Sequence, residues 1–160
     1  MVVGSHPALE IRVGFDHFRF PAGPTDDPGE TEGEHGMSRV LVIDDESTVG
    51  VVLRLAFDAK GHETVVAEDG RSGIELALSE RPDAIVLDLM MPRVTGYDVL
   101  DALRDADGME KVPVLVLTAV VMSRERDRCL ASGADAVMTK PFDPRDVVEA
   151  LDGLMLASQH

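Results

Sequence analysis

From residue 38 onward, short apolar runs alternate five times with longer stretches whose apolar residues recur at helical spacing. The runs are Val40–Ile43, Thr64–Ala67, Ala84–Leu87, Val114–Leu117 and Ala136–Met138. Three of them read VLVI, AIVL and VLVL, with no polar residue. Such runs suit strands buried on both faces, as in a parallel sheet. Between them the spacing predicts helices over 47–60, 71–81, 97–106, 123–132 and 144–156. The expected inward residues are Val49, Val52, Leu53, Ala56 and Phe57 in the first helix, and Ile74, Ala77 and Leu78 in the second. In the last they are Val147, Val148, Leu151 and Leu154. Gly61, Gly108 and Gly133 stand where three helices should stop, and Pro82 follows a fourth. Strict β/α alternation implies an α/β fold with a doubly wound parallel sheet of five strands and right-handed crossovers.

In such sheets ligands bind beyond the carboxyl ends of the strands. Asp44 and Asp45 follow the first strand, with Glu46 after them. Asp88 ends the third strand, Thr118 the fourth, and Thr139-Lys140-Pro141 the fifth. Four strands thus deliver polar groups to one edge, and the opposite ends offer nothing comparable. Each residue alone has a plain structural use: an Asp after a strand caps a helix, Lys-Pro makes a turn, and Thr ends a strand. Together they suggest chemistry. Converging carboxylates raise one another's pKa unless a cation joins them, and an all-oxygen ligand set favours Mg²⁺. Asp88 can then act as a nucleophile that accepts a phosphoryl group. Lys140 can neutralise the transferring oxygens, and the Thr118 hydroxyl can donate to another.

Composition narrows the setting. The 160 residues hold 15 basic and 30 acidic side chains, a net charge of −15, which argues against direct nucleic-acid binding. No run of about 18 apolar residues is present, so membrane insertion is not expected. The start, MVVGSHPALE, lacks the form of a secretory signal, and the single Cys129 cannot form an internal disulfide. A cytoplasmic location is expected. Residues 1–37 read as a disordered tail or an upstream extension, because PAGPTDDPGETEGEHG is too polar to offset its ordering entropy. Within that region IRVGFDHFRF alternates enough for a short strand, with no obvious partner.

The segments VLVIDDE, IVLDLMMPRVTGYDVL, VLVLTA and GADAVMTKPF resemble the motifs of the response-regulator receiver domain, in order and spacing. The resemblance places a receiver domain at 38–157 and implies the flavodoxin-like strand order 2-1-3-4-5. It implies that Asp88 is the phosphoacceptor, Asp45 a direct Mg²⁺ ligand, Asp44 a helper through water, and the Met90 backbone carbonyl a further ligand. Thr118 becomes the switch hydroxyl, Lys140 the partner of the phosphoryl group, and Lys140–Pro141 a cis bond. The implied donor is a sensor histidine kinase or histidine phosphotransfer protein. The implied output is a protein target bound through the fourth helix, fifth strand and fifth helix, and the acyl phosphate is later hydrolysed by the domain itself. Val137 stands where many receivers carry an aromatic residue coupled to the switch.

Several alternatives stay open. The chain reads as a stand-alone receiver, since too few residues follow the last helix for an output domain; a fragment of a larger regulator would look the same. A phosphatase with an aspartyl-phosphate intermediate would want an acid two residues past Asp88, where Met90 stands. A binding module that has lost phosphorylation is the third reading. The run Val120-Val121-Met122 is either buried under the fourth helix or an exposed docking patch. Arg124, Glu125, Arg126, Asp127 and Arg128 read as a solvated face or a partner face. Cys129 reads as core, and His62 as a turn residue.

Overall fold

Every one of the five apolar runs is a strand. The computed structural model describes residues 10–11, 37–119 and 122–159. Its strands are β1 (Glu10–Ile11), β2 (Arg39–Ile43), β3 (Glu63–Ala67), β4 (Ala84–Asp88), β5 (Val114–Thr118) and β6 (Ala136–Thr139). The helices are α1 (Ser47–Asp58), α2 (Gly70–Glu80), α3 (Gly96–Asp105), α4 (Ser123–Ala131) and α5 (Pro144–Ser158). The sheet order is β1-β6-β5-β4-β2-β3, with β2 to β6 parallel to one another. Counted among themselves, the five parallel strands run 2-1-3-4-5, the expected doubly wound order. The direction of winding reverses between β2 and β4.

Side chains alternate across each central strand and divide the apolar residues between two cores. Leu41, Ile43, Ile85, Leu87, Val114 and Val116 pack with Ala77 of α2, Val99, Leu100 and Leu103 of α3, and Cys129 of α4. Val40, Val42, Val86, Leu115 and Leu117 pack with Leu53 and Phe57 of α1 and with Val147, Leu151 and Leu154 of α5. Continuous apolar runs are needed because both faces are covered.

Two inward assignments are corrected. Leu78 is 41% exposed and Val52 38%. Both helices meet the sheet along a glycine-centred stripe, Gly70–Gly73–Ala77 in α2 and Gly50–Leu53–Phe57 in α1. A Cβ at Gly73 would lie 2.7 Å from Ile43, and one at Gly50 2.8 Å from Val66. That close approach sets each helix's rotation and turns Leu78 and Val52 towards solvent. The opposite end of the sheet also carries more than expected. There Arg39 pairs with Glu63 at 3.0 Å and Glu80 at 3.1 Å, and its backbone N–H donates to Asp83 at 2.7 Å. These exposed pairs fasten β2 to β3 and α2 and resemble no binding site.

The strand foreseen within residues 11–20 is represented among the described residues by Glu10–Ile11, which pairs antiparallel with β6. Apart from that strand and Met37, the expected disordered tail lies outside the described residues.

Candidate functional site

The reversal of winding leaves a crevice between the carboxyl ends of β2 and β4, and the acidic residues lie there. Asp44 and Asp88 are buried, whereas Asp45 is exposed. One carboxylate oxygen from each of the three falls within 4.8 Å of the others. Lys140, just past β6, brings its ammonium to 3.1 Å from Asp44 Oδ2, 3.6 Å from Glu46 Oε1 and 3.7 Å from Asp88 Oδ1. The Lys140–Pro141 bond is cis. Thr118 ends β5 beside Thr139, is buried, and accepts the Lys140 backbone N–H on its carbonyl at 2.8 Å.

Local structure holds the carboxylates in place. The Glu46 N–H donates to Asp44 Oδ1 at 2.9 Å, and the Met90 N–H donates to Asp88 Oδ1 at 3.2 Å. The Met90 side chain is exposed. A capping box formed by Thr95 and Asp98 starts α3, and Gly96 lies directly on the backbone of the acidic strand end. A Cβ on Gly96 would sit 2.6 Å from Leu89 Cα and 2.7 Å from the Asp88 carbonyl oxygen. Arg93, in the intervening loop, adopts φ 68°, a left-handed conformation unusual for a residue with a side chain.

Burial pushes the Asp88 carboxyl up to about 7, and the negative charge of Asp44 adds to it. Lys140 and the Met90 N–H work in the opposite direction, while a hydrogen bond with Asp45 favours the protonated form. For Lys140, burial disfavours the ammonium, but its hydrogen bond to Asp44 and the charges of Asp88, Asp44 and Glu46 prevail and raise its pKa. Three carboxylates, those of Asp44, Glu46 and Asp88, thus face one lysine. Three oxygen donors, with one acid holding its proton towards neutral pH, form a set that a hard divalent cation fits.

A family model for the response regulator receiver domain matches residues 40–152. The chain belongs to the response-regulator receiver family. This receiver is 39% identical over 117 residues to the response regulator MprA of Mycolicibacterium vanbaalenii, covering 73% of this chain and 50% of that protein. It is 36% identical over 121 residues to the alkaline phosphatase synthesis transcriptional regulatory protein PhoP of Bacillus subtilis, covering 76% and 50%. The chain therefore spans about half the length of the curated relatives it matches. Among solved structures, a Francisella response regulator receiver domain superposes with a TM-score of 0.70 at 30% identity, covering 76% of this chain and 98% of that one. The chemotaxis response regulator CheY4 of Vibrio cholerae gives 0.71 at 28% identity, covering 74% and 99%.

Elsewhere on the receiver, Val137 is buried beneath α4, in the same core as Cys129 and Ala134. Val120 and Val121 lie outside the described residues; Met122, which precedes α4, is 71% exposed. Arg124, Asp127 and Arg128 are exposed and none of residues 124–128 is buried, in keeping with a solvated face, while two of the five engage Tyr97. The Arg128 guanidinium stacks 4.0 Å over the Tyr97 ring, and the Tyr97 hydroxyl donates to Glu125. Burial raises the Cys129 thiol's pKa, in keeping with a core role. His62 follows the turn after α1, as expected, and is buried there, with its Nε2 paired to Asp152 Oδ1 of α5 at 2.8 Å. No helix is long and apolar enough to cross a membrane among the described residues.

Sequence reasoning did not single out Gly96 or the Glu46 contact with Lys140. A Gly just after a Thr-capped turn was the one available signal for the first. The second depends on where a loop brings its side chain.

Proposed function

We propose that Asp88 accepts a phosphoryl group from the phosphohistidine of a sensor kinase or phosphotransfer protein, in a Mg²⁺-dependent reaction. The observation that carries this reading is the buried Asp88 carboxylate at the switch point, with Lys140 3.7 Å away and two further carboxylates around it. Asp44, Asp45 and Asp88, with the Met90 carbonyl, would hold the cation. Bound there, it would neutralise the carboxylates and the transferring oxygens. The Met90 N–H orients Asp88 by holding Oδ1. An oxygen of Asp88 bonds to phosphorus as the phosphorus–nitrogen bond of the donor breaks, and the imidazole nitrogen keeps the bonding pair. The Lys140 ammonium offsets the charge brought in, and Thr118 donates its hydroxyl to the new phosphoryl group.

Hydrolysis reverses the modification: water bonds to phosphorus, the bond to Asp88 breaks, and phosphate leaves. Receivers are phosphoacceptors rather than turnover enzymes, and slow self-dephosphorylation is the only cycle this reading requires. Output then travels through α4, β6 and α5 to a protein target by population shift. The reading places the domain in the cytoplasm beside its kinase, signalling through protein contacts.

Intact-mass measurement after incubation with acetyl phosphate and Mg²⁺ tests the chemistry. One added phosphoryl group on the native protein, and none on Asp88→Asn, is expected. No addition to either protein overturns the phosphoacceptor reading in favour of a pure binding module.

A further inference from the structure

Strand β6 is the last strand of the parallel sheet, so its outer edge would present unpaired backbone groups. That edge lies between two layers. Val137 belongs to the core that contains Cys129, against which Leu130 of α4 also packs. Ala136 and Met138 face the core formed with α5. In this protein β1 takes the edge, with Glu10 opposite Val137 and Ile11 opposite Ala136, antiparallel. The strand falls outside residues 40–152, which the family model matches. The solved receivers are covered almost entirely while leaving about a quarter of this chain unmatched. The pairing is therefore an addition to the shared fold.

We infer that the outer edge of β6 is a strand-addition site whose occupant in the free protein is the chain's own Glu10–Ile11 segment, paired in cis and displaceable. Strand addition uses main-chain hydrogen bonds, so it suits an extended segment whatever its side chains. Among the described residues the ladder is two residues long, shorter than an ordinary strand. It persists because residues 12–38 tether it, which makes pairing intramolecular and raises its effective concentration. The same brevity leaves it open to displacement by a longer strand. Any partner that docks on the edge between α4 and α5 must first remove β1, which makes the contact autoinhibitory for that face.

The inference is independent of phosphorylation and is tested without Mg²⁺ or phosphodonor, so its failure leaves the role of Asp88 untouched. The Asp135 N–H donates to Val114 on β5, and successive amides alternate sides. The Ala136 and Met138 amides therefore face the outer edge. Proline can neither donate to a ladder nor sit comfortably within one, so the full chain carrying Glu10→Pro and Ile11→Pro releases β1 and leaves the receiver intact. Residue-resolved amide exchange is expected to quicken at least about tenfold at Ala136 in this variant, with β4 and β5 unchanged. A synthetic peptide covering residues 6–14 is expected to restore protection in the variant and to bind the native chain much more weakly. Unchanged exchange at β6, or equal peptide binding by both proteins, overturns the inference. So does protection that grows with protein concentration alongside a dimer in light scattering, since the occupant would then be a second copy.

Discussion

The Lys140 ammonium lies closer to Asp44, at 3.1 Å, than to Asp88, at 3.7 Å. The lysine is thus anchored by the more deeply buried carboxylate and left within reach of the proposed acceptor. It also competes with any cation for the same acids. Lys140→Gln is expected to bind Mg²⁺ about tenfold more tightly, because a positive charge leaves the site. Phosphoryl uptake should fall by about 10²-fold, because the transferring oxygens lose their counter-charge. Calorimetric Mg²⁺ titration and the initial rate with acetyl phosphate measure the two effects. A parallel fall in both would show that Lys140 only holds the site together.

Asp88 makes stability depend on pH. Its folded pKa, about 7, lies above the ordinary carboxylate value, so the folded state holds this proton more tightly than the unfolded chain does. The contribution is fully present below about pH 4 and is lost as pH rises through about 7. Without divalent cations, Asp88→Asn should be more stable than the native protein at pH 8, by on the order of 2–4 kcal/mol, and about equal at pH 4. Millimolar Mg²⁺ should narrow the difference at pH 8. Denaturant titrations at both pH values read this out, and a constant gap between them would contradict it.

Gly96 is a contact point, where α3 presses on the Asp88–Leu89 backbone. Gly96→Ala should cost about 1–3 kcal/mol by overpacking. It should also slow phosphoryl uptake in the protein that remains folded, because relief of the clash displaces Asp88. Uptake measured well below the melting transition separates the two effects. Native uptake would mean that the strain is absorbed elsewhere.

Arg104 fastens the α3 end to two loops. Its Nη1 donates to the Met109, Glu110 and Val112 carbonyls at 2.9, 3.2 and 3.0 Å. Its Nε and Nη2 share the Gly133 carbonyl, and Nη2 reaches Asp135 at 3.1 Å. Arg104→Ala should destabilise by about 2–4 kcal/mol, since several part-buried carbonyls lose their donor. Arg104→Lys should recover little, because a point charge cannot reproduce the planar fork. Thermal unfolding of the two variants decides it.

Much of the site was legible in the chain. Asp44, Asp45, Asp88, Thr118 and Lys140 each follow a strongly apolar run. Strand ends are local features, and a parallel sheet aligns the carboxyl ends of its strands by topology. Positions that depend on approach between elements were not legible. Leu78 and Val52 have the spacing of inward residues, yet close glycine contacts rotate them outward. The partners His62 and Asp152 are separated by 90 positions. Nothing in either segment marks the pairing.

By itself, then, the sequence determined the alternation of strands and helices, the doubly wound topology, and the edge where acids and lysine collect. Those follow from periodicity and chain connectivity, which are read one segment at a time. Tertiary structure alone decided that Lys140 leans on Asp44, that Gly96 abuts the Asp88 backbone, that Arg104 gathers its carbonyls, and that Glu10–Ile11 closes the edge of β6. Each of these depends on how distant segments meet in space. Ångström differences in helix rotation and loop path, set by the packing of the whole domain, determine the outcome.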